Sequence, residues 1–228
     1  MNGGIIGVPN ASKSGLWRLK DVLLNVNHIR FSDVTYGLLH RWPLTENAND
    51  VVGTLNLTNN GSVTFSSNGA SFNGSNQSLT GTATWPSNFT ATAWIKFSTS
   101  SVSYAFGAAN AAGENGFSPV IDSDVFLSVY GGTLKIYSGR NLADSTWHLI
   151  GVEGHSTGAV EWKFYIDGAL EGSGTPASFT LDTNFALGRL GAYAYGYYFA
   201  GNEIDARIFD KALTAGQHAT LYANGPNP

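Results

Sequence analysis

Residues 145–172 constrain the fold of this chain most strongly, because they carry the pattern of three consecutive antiparallel strands. The pattern predicts strands over 146–153 and 160–166, joined by the turn sequence GHSTG, and then a short return strand. Asp167 and Gly168 separate the last two strands. This pair is a strong hairpin signal, because a type I′ turn needs positive φ at both central residues.

The middle strand of this stretch alternates between two faces. Trp162, Phe164 and Ile166 fall on one face, and Lys163 and Tyr165 fall on the other. A period of two is typical of a sheet that has one buried face and one solvated face. The sequence therefore predicts a two-faced antiparallel sheet here.

The composition fits one substantial all-β domain. Of 228 residues, 28 are glycine and only 12% are charged, which indicates many short strands joined by tight turns. The net charge of -4 argues against a nucleic acid partner, which needs a basic stripe on the protein. The chain has no cysteine, so disulfides and thiolate metal sites are excluded. Neither a secretory signal nor a membrane-inserted segment is predicted.

Several segments resemble, in the expected order, the laminin-G-like, concanavalin-A-like jelly rolls. The pair Trp147-His148 and the sequence Tyr-Ile-Asp-Gly at 165–168 resemble the centre of that family. Its other strands are resembled by FNGSNQSL (72–79), FTATAWIKF (89–97), ALGRLG (186–191) and FAGNEIDARIFDKALTAGQHATLYANG (199–225). The resemblance covers Leu38 to Gly225 and implies an antiparallel two-sheet β-sandwich. This architecture hosts lectins, hydrolases, adhesion modules and virion proteins, so it does not choose a function by itself.

The remaining patterns place the other elements of a domain over 37–228. Further strands are predicted over 38–44, 63–65, 70–72, 77–80, 89–97, 104–108, 125–130, 133–137, 185–190 and 203–209. In 89–97, alternate residues from Phe89 to Phe97 share one face and Trp94 lies opposite. A short helix is predicted over 214–223, with Thr214 as its cap and Gly225 just past its end.

Residues 1–36 have a different character and are interpreted as an N-terminal docking arm. A glycine-rich opening precedes apolar residues at spacings of three and four, which predicts an amphipathic helix over 15–26. The residues predicted to dock are Ile5, Ile6, Leu16, Trp17, Leu19 and Leu23. The alternative is that this helix packs on its own sandwich.

The opening sequence carries a second resemblance, to small structural proteins of tailed bacteriophages, through GGIIG and the later step SGLW. It implies a non-enzymatic virion structural protein, in the head decoration or in a tail or fibre, made in the bacterial host cytoplasm. Its partners would be other virion proteins and copies of itself. The alternative is a carbohydrate-binding module that recognises host surface glycans.

Four tyrosines between glycines form the candidate interface for a glycan or a protein: Tyr193, Tyr195, Tyr197 and Tyr198. A strand over 191–201 would place the first three on one face. Tyrosine offers a large, stiff ring with a hydroxyl at its edge, which suits stacking on sugars or packing against a neighbouring protein. A ladder that only covers the sandwich is the third alternative.

No catalytic residue is predicted. Glycoside hydrolases can place two carboxylates on one strand to flank the scissile bond, and Glu203 and Asp205 have a suitable spacing. Arg207 occupies the next alternate position, which favours a row of ion pairs on one face. A divergent glycoside hydrolase is the remaining alternative. His148 is predicted to be structural.

No cofactor is predicted, and calcium is left open. Calcium prefers six to eight oxygen ligands, and two loops are rich in them. The candidate ligands are Asn47, Asn49 and Asp50 in the first loop, and Asp122 and Asp124 in the second. The same residue types are common in tight turns without any metal.

Overall fold

Two antiparallel sheets enclose one large hydrophobic core, which confirms the predicted all-β sandwich. The computed structural model describes residues 35–129 and 134–226. In this part of the chain the strands are β1 Leu38–Trp42, β2 Thr58–Asn60, β3 Thr64–Ser66, β4 Gly69–Asn73, β5 Ser78–Thr82, β6 Asn88–Lys96, β7 Ser103–Tyr104, β8 Phe106–Ala108, β9 Phe117–Ile121, β10 Val125–Val129, β11 Leu134–Tyr137, β12 His148–His155, β13 Thr157–Gly158, β14 Trp162–Ile166, β15 Ala169–Gly174, β16 Phe179–Thr180, β17 Asn184–Leu187 and β18 Ala200–Phe209. The helix α1 spans Ala215–Ala223.

The strands form two large sheets and one small ribbon. The first sheet has the order β15-β14-β12-β6-β18-β4-β3, and β1 also pairs with β18. The second sheet has the order β11-β10-β9-β8-β17-β5-β2, and β7 also pairs with β9. β13 and β16 pair with each other and form the small ribbon. No helix among the described residues is long and apolar enough to cross a membrane.

The predicted hairpin at the centre of the chain is confirmed. Asp167 and Gly168 both have positive φ, at 53° and 78°, and Ile166 lies opposite Ala169. The strand bounds differ from the prediction, because β12 starts at residue 148 and β14 starts at residue 162. The connection between them is longer than the predicted turn, since β13 within it pairs with β16.

Strand β6 has the predicted two faces. Phe89, Ala91, Ala93 and Ile95 all belong to the main core between the sheets. Trp94 points the other way and packs in a second apolar cluster with Leu149, Ile204, Phe209, Leu213 and Leu221. Helix α1 supplies part of that cluster, so the outer face of the first sheet is covered.

Helix α1 also covers one residue of β14 that the sequence pattern places on the solvated face. Tyr165 was predicted to face solvent, but it is buried because the ring of His218, from α1, stacks on it at 3.7 Å. His218 also lies 3.0 Å from Oε1 of Glu153, and Lys163 lies 3.4 Å from Oε2 of the same carboxylate. Burial raises the pKa of Tyr165, and the charge of Glu153 raises it further.

Helix α1 begins as predicted. Thr214 is the N-cap, its hydroxyl accepts the N–H of Gln217, and the Gln217 side chain accepts the N–H of Thr214 in return. This reciprocal pair satisfies two backbone donors that a helix start leaves open. Gly225 has positive φ just beyond the helix end, as expected.

Four of the described strands were not predicted from the sequence, namely β2, β9, β13 and β16. β9 contains Pro119, and proline inside a strand pattern argues against a strand because it cannot donate to a sheet ladder. The predicted strand over 104–108 is divided into β7 and β8. β10 and β11 pair antiparallel, with Val129 opposite Leu134, while the predicted turn between them lies outside the described residues.

The predicted docking residues and the predicted helix over 15–26 also lie outside the described residues. The division of the chain into an arm over 1–36 and a jelly roll over 37–228 stays a prediction.

Candidate functional site

The four predicted tyrosines lie together on one side of the molecule, but not on a strand. Residues 191–198, here called the tyrosine loop, are irregular, so the predicted alternation of a strand is wrong. Three of the rings nevertheless cluster: Tyr193 lies 5.4 Å from Tyr195 and 6.4 Å from Tyr197, between ring centroids. Tyr104, from β7, completes the cluster at 6.1 Å from Tyr193 and 5.8 Å from Tyr197.

The tyrosine loop is held on both flanks by backbone hydrogen bonds. Ala192 N–H donates to the Ala109 carbonyl at 2.9 Å, and Ala194 N–H donates to the Ala111 carbonyl at 3.2 Å. From the other flank, Tyr104 N–H donates to the Tyr197 carbonyl at 3.1 Å. These hydrogen bonds fix the position of the loop, so its tyrosine rings form a preorganised surface.

The rings of the cluster differ in their exposure to solvent. Tyr195 is 70% exposed and Tyr197 is 42% exposed, whereas Tyr104 is buried. Gly113 passes so close beneath Tyr193 that a Cβ there would lie 2.6 Å from its ring. Tyr193 and Tyr104 therefore support the two outer rings, which are free to contact a ligand.

A polar cleft of about 500 Å³ lies beside the tyrosine loop, on the outer face of the second sheet. Its floor is formed by side chains that alternate along β2 and β5 and by the start of β17. These floor residues are Thr58, Asn60, Ser78, Thr80, Thr82 and Asn184. The residues that alternate with them along the strands point into the core, such as Leu79, which pairs with the core residue Leu187. The floor therefore offers hydroxyl and amide groups only.

Arg189 and Tyr198 form the side of the cleft nearest the loop. The Arg189 guanidinium lies 5.4 Å from the centroid of the Tyr198 ring, donates to the Tyr193 carbonyl, and contacts the Tyr198 hydroxyl at 3.4 Å. Tyr198 also lines a second hollow of about 190 Å³ together with Tyr197. The cleft and the tyrosine loop are thus two parts of one continuous surface.

Glu203 and Asp205 are not arranged as a catalytic pair. Asp205 has a φ of 52°, and the pairing of β18 with β6 shifts register between Ile204 and Arg207. As a result Glu203 lies opposite the core residue Ile95 with no exposed surface, while Arg207 lies opposite Thr92. The predicted row on one face is therefore wrong for Glu203.

The ion pair between Asp205 and Arg207 is confirmed. Oδ2 of Asp205 lies 2.5 Å from Nη2 of Arg207, and Oδ1 lies 2.8 Å from Nε of Arg41. Both arginines therefore neutralise this carboxylate. Burial raises the pKa of Glu203 well above its ordinary value, and only the Gly188 N–H, at 3.0 Å, opposes this.

His148 is held by carboxylates, as predicted for a structural histidine. Its Nδ1 lies 2.9 Å from Oδ2 of Asp167, and its Nε2 lies 3.2 Å from Oδ1 of Asp144. Asp167 also pairs with Arg140 at 2.9 Å. The hydrogen bond to Asp167 raises the pKa of His148 above its ordinary value. This network fastens the tip of the β14–β15 hairpin.

The first calcium candidate loop is organised by hydrogen bonds within the protein. The Asp50 carboxylate is buried and has five partners, which are Nδ1 of His40 and the backbone N–H groups of Arg41, Val52, Gly53 and Leu55. Asn47 accepts the N–H of Asn49 at 2.8 Å, as in a simple turn. These donors occupy the oxygens that a cation would need.

The second calcium candidate loop has the same character. Asp122 accepts the N–H of Ser123 at 2.7 Å. Asp124 accepts the Ser138 hydroxyl at 2.9 Å and the N–H groups of Gly139 and Arg140 at 3.0 and 3.1 Å. Across the described ranges, no group of three or more His, Cys, Asp or Glu side chains is placed to hold a metal ion. The calcium prediction stays without support from this geometry.

The family of the chain follows from residues 57–219. They match a laminin G family model, that of the concanavalin A-like lectin/glucanases superfamily, over more than half of the sequence. The chain belongs to this superfamily. No curated protein matches this concanavalin A-like chain in sequence.

Solved structures share the same fold. Domain 4 of AbnA, an extracellular arabinanase from Geobacillus stearothermophilus solved in complex with arabinotriose, superimposes with a TM-score of 0.63 at 19% identity, over 81% of this chain and 98% of that domain. The botulinum neurotoxin serotype D binding domain gives 0.64 at 13% identity, over 85% of this chain and 53% of that one. The receptor binding domain of the C/D mosaic serotype gives 0.64 at 13%, over 84% and 52%. The chain thus spans about half of each toxin domain.

The sequence pointed to the tyrosines but missed their partners. Tyr104 reaches the loop from β7, far away in sequence. Arg189 lies two residues before the loop, but no local pattern indicates that it contacts Tyr193 and Tyr198. The cleft floor left a weak signal, because Ser78, Thr80 and Thr82 alternate with the core residue Leu79 and with Gly81. That alternation is typical of a strand with a polar outer face.

Proposed function

We propose that this protein is a non-enzymatic glycan-binding domain whose site is the tyrosine loop together with the adjoining polar cleft. The observation that carries the proposal is the exposed pair Tyr195 and Tyr197, held by a fixed loop beside a cleft of hydroxyl and amide groups. Aromatic rings stack on the apolar faces of sugars, and neighbouring polar groups bind the hydroxyls. Both requirements are met at one place.

Of the two functions predicted from the sequence, the carbohydrate-binding module agrees with this site better than the virion structural protein does. The arabinanase domain of the same fold was solved with arabinotriose, which supports a sugar ligand for this chain by analogy. A glycoside hydrolase is disfavoured, because Glu203 is buried in the core and Asp205 is paired with two arginines. Neither carboxylate can reach a substrate.

The role in a tailed-bacteriophage virion stays a prediction, because it depends on the opening sequence and on partners that the fold does not specify. It is compatible with glycan binding. Deletion of residues 1–30 and a measurement of incorporation into phage particles tests it: loss of incorporation is expected, and normal incorporation would refute the docking role.

Truncating Tyr197 to alanine is expected to weaken glycan binding about fivefold or more, since aromatic anchors in an interface contribute more than about 1 kcal/mol. A glycan array followed by calorimetry on the best ligand measures this. Tyr222→Ala is the matched control, because Tyr222 has the same 42% exposure but lies on α1, against Trp94 on the first sheet. An equal loss in both variants, or no binding by the unmodified protein, would refute the proposal.

A further inference from the structure

Among the described residues that line the polar cleft beside the tyrosine loop, Arg189 carries the one charged side chain. We infer that the glycan carries an acidic group, a carboxylate or a sulfate, which pairs with Arg189. This inference rests on the proposed function and names the class of sugar that the site selects.

The lining of the cleft favours an anion. Apart from Arg189, the described residues of the lining have hydroxyl, amide, aromatic or small side chains, and none of them is Asp or Glu. The chain as a whole has a net charge of -4, so a cationic cleft is an exception on its surface. A charge in a concave site acts through a lower effective dielectric than a charge on open surface, which strengthens its attraction for an anion.

Arg189 differs from the other described arginines. Arg41, Arg140 and Arg207 each form an ion pair with a carboxylate of the protein. Within the described ranges Arg189 has no carboxylate within ion-pair distance; its contacts are the Tyr193 carbonyl and the hydroxyl and ring of Tyr198. The positive charge is therefore positioned by neutral groups and is not neutralised.

The hydrogen-bonding capacity of Arg189 is only partly used. A guanidinium has five N–H donors, and the two contacts above engage two of them. The remaining donors have the fork geometry that suits carboxylate and sulfate oxygens. The ring of Tyr198 on one side of the guanidinium reduces its freedom, which lowers the entropy cost of binding an anion.

The neighbouring groups suit the rest of a sugar. Thr80 and Asn60, which are already hydrogen-bonded to one another at 2.9 Å, present further donor and acceptor capacity on the floor. Tyr198 joins the cleft to the hollow lined by Tyr197. With the acidic sugar unit of the glycan paired to Arg189, the next sugar unit would lie against the exposed tyrosines.

An array of paired glycans tests the inference. Each pair holds an uncharged oligosaccharide and its counterpart with a uronic acid, a sialic acid or a sulfate ester. The unmodified protein is expected to bind at least one acidic member about tenfold more tightly than its uncharged partner, and 0.5 M NaCl is expected to remove most of this preference. A preference for the uronic or sialic acid members identifies a carboxylate as the recognised group, and a preference for the sulfate esters identifies a sulfate.

Variants assign the preference to one side chain. Arg189→Gln is expected to abolish the preference, so that the acidic and uncharged members of a pair bind with similar affinity, while Arg189→Lys retains part of the preference. Lys96→Gln removes the same charge on the first sheet and is expected to change nothing. Thermal unfolding of each variant shows whether the loop still folds, and the salt dependence of the unmodified protein stands without any variant.

The outcomes separate this inference from the proposed function. Equal affinity for charged and uncharged members overturns the acidic ligand and leaves glycan binding intact. An acidic preference that survives in Arg189→Gln places the charge recognition elsewhere and also overturns the inference. Absence of binding across the array overturns both.

Discussion

Replacing Asp50 by alanine is expected to lower the free energy of unfolding by about 3 to 5 kcal/mol, the usual cost of removing one partner from a buried charged network. The carboxylate is fully buried and joins β1 to the loop that follows it through five partners. Without it, four backbone N–H groups and His40 lose their acceptor. Chemical denaturation of both proteins at neutral pH measures the difference.

The pH dependence of the same site has a definite sign. Burial alone would raise the pKa of Asp50, but the hydrogen bonds from His40 and from the backbone N–H groups outweigh it, so the pKa lies below its ordinary value of 3.8. A carboxyl with a lowered pKa in the folded state adds stability above its unfolded pKa, and that stability is lost as the pH falls through the folded pKa. The unmodified protein should lose this contribution below about pH 4.

Two variants make the Asp50 test specific. Asp50→Asn keeps the size of the side chain but cannot accept all five donors, so it should also be destabilised at neutral pH and should lack the acid-dependent loss. Asn49→Ala, in the exposed part of the same loop, should change stability by less than about 0.5 kcal/mol. An Asp50→Ala variant as stable as Asn49→Ala would contradict the described role.

Replacing Glu203 by glutamine is expected to stabilise the protein increasingly as the pH rises. Burial raises the pKa of this carboxyl well above 4.5, its Oε2 has no partner among the described residues, and its Oε1 accepts only the Gly188 N–H. Between pH 4.5 and the folded pKa the unfolded chain binds fewer protons than the folded one, so the stability of the unmodified protein falls as the pH rises. The slope from one such group is about 1.4 kcal/mol per pH unit.

Glutamine removes this titration and keeps the shape of the side chain. Denaturation midpoints between pH 4 and pH 8 should therefore diverge for the two proteins, with the variant more stable at the upper end. Glu46→Gln is the control, because Glu46 is exposed. A difference between the Glu203 variant and the unmodified protein that stays constant over this range would show that Glu203 titrates alike in the folded and unfolded chains.

The parts of the fold that the sequence predicted well are governed by local chemistry. The type I′ turn at Asp167 and Gly168, the alternation in β6 and the Thr214 cap each follow from a few neighbouring residues. The parts that it did not predict depend on residues far apart in sequence. His218, the helix residue that covers Tyr165, is 53 positions away from it in sequence (218 minus 165), and nothing in β14 indicates this contact.

The error at Glu203 has a similar origin. A strict period of two would place residues 203, 205 and 207 on one face, but the positive φ of Asp205 inserts a bulge that moves Glu203 to the core side. Aspartate tolerates this conformation better than most residues, but the sequence does not say that it is used. The candidate site was also predicted only in part, because the sequence identified the tyrosines but not the polar cleft with Arg189.

Glycan binding at the tyrosine loop and the adjoining cleft can be mapped by following backbone amide chemical shifts during titration with the best ligand from the array. The shifts are expected to concentrate at residues 189–198 and on the cleft floor in β2, β5 and β17. Shifts confined to α1, or to the outer face of the first sheet, would contradict it.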